Sequence, residues 1–169
     1  YNLALIYYSG QATPLDNIED VDWSSLSEEL RLKNSQFKLG VRHYKGDGII
    51  QDYEEAAKWF ILAAKQGHRQ ALFNLGIMYY LGEGIPKNSK EAAKWFILAA
   101  EQGHIEAQCN LGIMYYQGKG LEQNYREAIR WLQLSADLGD TLAQYNLGVM
   151  YCRGEGVLQN FLVAYKWFL

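Results

Sequence analysis

ALFNLGIMYYLGEGIPKNSKEAAKWFILAAEQG, residues 71–103, is the stretch that decides the fold. Two runs rich in apolar residues flank Gly82-Glu83-Gly84, and Gly103 closes the second. In the first run Ala71, Leu75, Met78 and Tyr79 recur at helical spacing and share one face. Gly76 sits beside that face, where it admits a close neighbour. In the second run Ala92, Trp95, Phe96 and Ala99 form one stripe, with the indole as a knob among small alanines. The spacing predicts a helix A from about Arg69 to Leu81, stopped by Gly82, because glycine relieves the steric cost of a left-handed C-terminal residue. A short loop, Ile85 to Asn88, leads into helix B. Its start reads as a capping box, with Asn88 as N-cap and Glu91 three residues on.

Moving outward, the same design returns every 36 residues. Trp23, Trp59, Trp95, Trp131 and Trp167 keep that interval, and so do Leu39-Gly40, Leu75-Gly76, Leu111-Gly112 and Leu147-Gly148. EAAKWFILAA occurs at 55–64 and 91–100, and NLGIMYY at 74–80 and 110–116. The full units are 35–70, 71–106 and 107–142, followed by a truncated unit at 143–169. Residues 1–34 read as a degenerate earlier unit, since Leu3, Tyr8, Gly10 and Trp23 align with Leu39, Tyr44, Gly46 and Trp59. The box recurs as Asp16/Glu19, Asp52/Glu55 and Asn124/Glu127; in the last unit Asn160 stays but Val163 replaces the acid. Helix B is expected to end at Gly67, Gly103 and Gly139. The first unit has Arg31 in that place, so its second helix is expected to run on toward Asn34. The whole chain, 1–169, reads as one repeat domain, a piece of a longer array that begins inside one helix and stops inside another. One hairpin cannot bury its own stripe, so about three or more must stack. Truncating one of the tryptophans to Ala is expected to cost about 3–5 kcal/mol.

Composition narrows what such an array does. The net charge is -3 with a pI near 5.6, which gives phosphate backbones no footprint and argues against nucleic acid as a partner. No apolar run reaches the roughly 20 residues that a membrane-crossing helix needs. Cys109 and Cys152, the only cysteines, are no disulfide framework.

The pattern A-x-x-x-L-G-x-x-Y-x-x-G-x-G-[VI]-x-x-[DN]-x-x-x-A-x-x-W-x-x-x-A-A-x-x-G, whole from Ala71 to Gly103, resembles the Sel-one-like repeat, a relative of the tetratricopeptide repeat. The resemblance is strong over 35–169 and weak over 1–34. It implies an all-α fold: an α/α right-handed superhelical solenoid of antiparallel helix pairs. It also implies a non-enzymatic adaptor or scaffold for proteins or peptides, often in bacterial envelope, secretion, virulence or signalling systems, or in eukaryotic protein quality control. Some relatives are secreted and carry one disulfide per repeat. Where they pair cysteines, this chain has Leu72, Gln108 and Gln144 in helix A and Ala64, Ala100 and Ala136 in helix B. That departure counts against the β-lactamase-like hydrolase activity suggested for that branch. A purely structural spacer is a third reading.

The candidate partner-binding face is the side of helix A opposite the core. It carries Gln70, Phe73, Asn74, Ile77 and Leu81, with Tyr80 at its edge. Asn74, Asn110 and Asn146 form an asparagine ladder beside Ile77, Ile113 and Val149 and beside Tyr8, Tyr44, Tyr80 and Tyr116; Lys38 holds the preceding rung, with Asn2 one repeat before it. An amide both donates to and accepts from a peptide bond, and tyrosines offer flat contact surfaces. The competing reading has these amides bonding to a neighbouring helix. The other motifs carry no chemistry. The G-x-G segments lack the strand and third glycine of a dinucleotide loop, so they read as turns and no cofactor is expected. His68 and His104 are equivalent turn positions too far apart to share a metal, and His43 reads as a core substitute for Tyr79. No His, Cys, Asp or Glu cluster has metal-ligand spacing. Ser35-x-x-Lys38 lacks its companion motifs. Both cysteines read as small buried residues without an activating base.

Overall fold

The computed structural model describes residues 23–169, with side chains from Ser27 onward. Among the described residues every regular element is a helix. In chain order these are α1 (Trp23–Lys45), α2 (Tyr53–Lys65), α3 (Arg69–Leu81), α4 (Ser89–Glu101), α5 (Ile105–Gln117), α6 (Tyr125–Asp137), α7 (Thr141–Arg153) and α8 (Phe161–Phe168). Consecutive helices pack as antiparallel pairs into an α/α solenoid. Helices A are the C-terminal part of α1, then α3, α5 and α7; helices B are α2, α4, α6 and α8. The chain divides between Arg31 and Leu32, and Leu32–Leu169 form one compact unit. The Asp16/Glu19 box, Asn2 and the aligned residues Leu3, Tyr8 and Gly10 lie outside the described residues.

Helix A stops where the sequence places the stop. Gly82, Gly118 and Gly154 take φ of 87°, 66° and 69° and donate back to Met78, Met114 and Met150. Gly67, Gly103 and Gly139, also left-handed, end the helices B. Position 31 has no such glycine, and position 32, where the later repeats keep their helix A caps, holds Leu32. With neither stop nor start, α1 runs unbroken from Trp23 to Lys45, past the end near Asn34.

The capping boxes are half-formed. Asn88 Oδ1 accepts from Lys90 N and Glu91 N at 3.1 and 3.2 Å. The Glu91 carboxylate does not reach back to the cap; it pairs with Lys94 at 2.6 Å, as Glu55 does with Lys58 and Glu127 with Arg130. The cap's own N–H is already taken. Asn88 N donates to the Tyr79 carbonyl at 2.8 Å, and Asp52, Asn124 and Asn160 donate likewise to His43, Tyr115 and Tyr151. Each loop is thereby tied to the end of the helix A before it. Val163 in place of the acid costs the last unit nothing at its cap, where Asn160 still accepts from Val163 N at 3.0 Å.

The core knob is not the indole. Phe60 and Phe96, each one residue after the tryptophan, are 1% exposed, and Leu132 is fully buried in their place. Trp59, Trp95 and Trp167 are half-buried, and among the described tryptophan side chains only Trp131 goes under, at 7%. The reason is Gly76: a Cβ there would stand 2.6 Å from the Phe96 ring, so the glycine admits the ring against helix A. Gly40 does the same for Phe60, and Gly112 for Leu132. Ala71, Leu75 and Met78 complete the buried face, with Tyr79 half-buried beside them.

Candidate functional site

Between α1 and α3 lies a groove of about 250 Å³. Val41, Tyr44 and Lys45 line it from α1, Phe73, Asn74 and Ile77 from α3, and Phe60 of α2 forms part of its floor. Of the sequence-predicted residues, Phe73, Asn74 and Ile77 therefore meet in one concavity. Asn110 and Ile113 hold the equivalent places on α5, and Asn146 on α7; all are half-buried. The ladder amides do not bridge to other helices. Asn74 Oδ1 accepts from Gln70, one turn back, at 3.4 Å. Asn146 donates to the Leu142 carbonyl at 2.7 Å. The Asn110 side chain makes no hydrogen bond among the described residues. Each amide keeps most of its capacity for donors and acceptors from outside.

The tyrosine column is committed to the array itself. Tyr44 OH donates to Glu83 at 2.7 Å and Tyr116 OH to Glu155 at 2.8 Å, while Lys119 Nζ donates to Tyr80 OH at 2.9 Å and lies 4.1 Å above that ring. Glu83, Lys119 and Glu155, the middle residues of three G-x-G turns, each clasp the tyrosine 39 residues before. Burial, then the Glu83 carboxylate, pushes the Tyr44 hydroxyl up to about 12. The Glu155 carboxylate, then burial, raises Tyr116. The second glycine of the turn is just as purposeful: a Cβ on Gly84 would collide with the Tyr53 carbonyl, and one on Gly120 with that of Ser89. These turns are joints between repeats.

Phe73 is likewise engaged, stacked on His104 with ring centroids 4.3 Å apart at 19°; Phe37 stacks on His68 with the same distance and angle. Those histidines have a role the sequence hid. Each is the N-cap of the following helix A: His68 Nδ1 accepts from Ala71 N at 3.2 Å and His104 Nδ1 from Ala107 N at 3.4 Å. Asp140 caps α7 in the same way, from Ala143 N at 2.7 Å. The signal was the 36-residue alignment of His68, His104 and Asp140, obscured because histidine is not a usual cap. Cys109 takes the Phe73 place opposite Asp140. Burial, then the nearby Asp140 carboxylate, pushes its thiol up to about 12. It is a protonated core group. His43 is half-buried, and among the described residues no group of His, Cys, Asp and Glu could hold a metal.

Gln108 Nε2 donates to the Ala100 carbonyl and Gln144 Nε2 to that of Ala136, both at 3.2 Å, so where the resemblance implies paired cysteines this chain has an amide link. No described helix is long and apolar enough to cross a membrane.

The model of the Sel1 repeat matches residues 1–19, 33–68, 69–104, 105–140 and 141–169, leaving only 20–32 unmatched. Its repeat boundaries at 69, 105 and 141 coincide with the first residues of α3, α5 and α7. Among solved structures, a protective antigen of uropathogenic Escherichia coli with an SLR fold matches at 33% identity and a TM-score of 0.78, over 88% of this chain and 32% of that one. A Sel1 repeat protein from Oxalobacter formigenes matches at 38% identity and a TM-score of 0.77, over 80% of this chain and 54% of that one. The chain thus spans about a third and about half of those two proteins. Cysteine rich protein B of Helicobacter pylori shares the fold at 18% identity and a TM-score of 0.57, over 73% of this chain and 96% of that one. Among curated proteins there is no significant match.

Proposed function

From the premise that this chain belongs to the Sel1 repeat family, whose members are in general protein-interaction scaffolds, we propose that it holds an extended peptide or a strand-like protein segment along its helix A face. The observation that carries this reading is the asparagine ladder at the groove. Asn74 lines the concavity beside Ile77, and the ladder amides spend at most one bond each, inside their own helix. Half-buried amides at a regular interval suit the repeated donors and acceptors of a peptide backbone. Ile77 and Ile113 supply apolar contact, and Tyr80 and Tyr116 stand at the edge with their hydroxyls held by the next turn.

The hydrolase reading finds no support in Cys109. Cys109 is buried and protonated at neutral pH, and thiolate is the reactive form. The scaffold reading is tested with peptides selected for binding to the chain from a displayed random library. The triple variant Asn74→Ala, Asn110→Ala, Asn146→Ala is expected to keep its helical circular dichroism and to lose those peptides. Unaltered binding by the folded variant, or peptides that map to the helix B face, would overturn it.

A further inference from the structure

The groove is polarised along the array, and we propose that its occupant is an acidic extended peptide whose carboxylates lie over α1. This rests on the peptide-holding reading above and adds the chemistry and direction of the partner.

The helix A face repeats four positions per helix, and its charge changes sign along the array. On α1 the positions are Asn34, Lys38, Val41 and Lys45; on α3, Gln70, Asn74, Ile77 and Leu81; on α5, Glu106, Asn110, Ile113 and Gln117. From α1 to α5 the face thus runs from two cations, through a neutral step, to one carboxylate; on α7 the same positions are Leu142, Asn146, Val149 and Arg153. Lys38 stands where the later repeats keep the ladder asparagine, so on α1 an ammonium replaces the amide. Lys45 lines the groove directly, opposite Asn74. Neither lysine has an ion pair among the described residues.

The other cations near this face are already committed. Arg153, on the α7 position matching Lys45, donates to Tyr116 OH at 3.0 Å and stands 3.9 Å from Glu155. Lys119 is held on Tyr80. Glu83, in the turn after α3, is occupied by Tyr44 OH, and Asp47, two residues after Lys45, is exposed in the turn that ends α1. Two uncommitted ammonium groups on a chain of net charge -3 are a local feature and not a general basic background. A peptide carboxylate would accept from these ammonium groups. An apolar side chain of the same peptide would enter between Val41, Phe73 and Ile77, and the Asn74 amide would take the intervening peptide unit. Like charge at Glu106 disfavours the reverse direction.

The test measures fluorescence anisotropy of three short labelled peptides with the 169-residue chain. They are identical but for the residues after a central leucine: aspartates, asparagines or lysines. The expected order is aspartate tightest and lysine weakest, with the spread shrinking as salt rises. The double variant Lys38→Gln, Lys45→Gln is expected to lose the preference for the aspartate peptide over the asparagine peptide. It should lose about three- to fivefold per lysine for the aspartate peptide, the scale of a solvent-exposed ion pair. Equal affinity for all three, a preference for lysine, or an aspartate preference that survives in the double variant would each overturn the inference. Shifts of the Val41 and Ile77 methyl signals on binding would then show that the peptide-holding reading itself still stands. Failure of all three peptides to bind would remove both.

Discussion

An imidazole can cap a helix only through an unprotonated nitrogen, and two helices of this array depend on that. His68 and His104 accept from Ala71 and Ala107 while their rings stack on Phe37 and Phe73. Burial lowers both from the ordinary value of 6.5, Lys33 and Arg69 adding to the effect at His68 and Arg69 at His104. A lowered folded value means that the unfolded chain binds the proton first. Stability is then whole above pH 6.5 and declines as pH falls below it. The two sites should differ. Glu106 stands 3.1 Å from His104 Nδ1 and would pair with the charged ring, whereas no carboxylate contributes at His68. The expected outcome is a fall in the urea midpoint between about pH 7 and pH 5, above the carboxylate range. His68→Asn, which caps without titrating, should flatten that slope more than His104→Asn. Equal slopes in all three proteins would show that the caps do not sense protons.

A helix B begins where three constraints meet: an asparagine or aspartate cap, a backbone tie to the helix before, and a glycine that lets the next turn lie against it. The cap was legible in the sequence, because Asp52, Asn88, Asn124 and Asn160 are local signals. The partner of the third-position acid was not, because the donor it would have served is taken by the Tyr79 carbonyl from another element. The two kinds of positive-φ glycine part company for the same reason. Gly103 (φ 76°) has nothing near a Cβ, whereas at Gly84 (φ 69°) the Cβ would strike the Tyr53 backbone. Gly103→Ala is expected to cost about 1–2 kcal/mol, the left-handed penalty alone. Gly84→Ala carries that penalty plus a backbone collision that no side-chain rotation relieves. Its melting point should fall further; equal losses would mean that the turns do not press on the neighbouring repeat.

At the scale of the molecule, one core cluster runs without a break through α2, α3, α4 and α5 and takes in Trp131 from α6. Phe96 lies in its middle, so Phe96→Ala is expected to cost about 3–5 kcal/mol in a single cooperative transition. Trp95→Ala, at a half-buried site, should cost less; the opposite order in urea unfolding would return the knob to the indole. By itself the sequence determined the helices after α1, their stops, the 36-residue interval and the stacked all-α class. Each of these follows from spacing and local backbone preference, which a chain carries within a few residues. Only the tertiary structure decided that phenylalanine and not tryptophan fills the core, that histidines cap, that tyrosines clasp the next turn, and that Lys45 faces Asn74 across a groove. Those depend on which side chains 30 to 40 residues apart come to touch. Packing fixes that, because a close approach at Gly76 or Gly84 moves every neighbour around it.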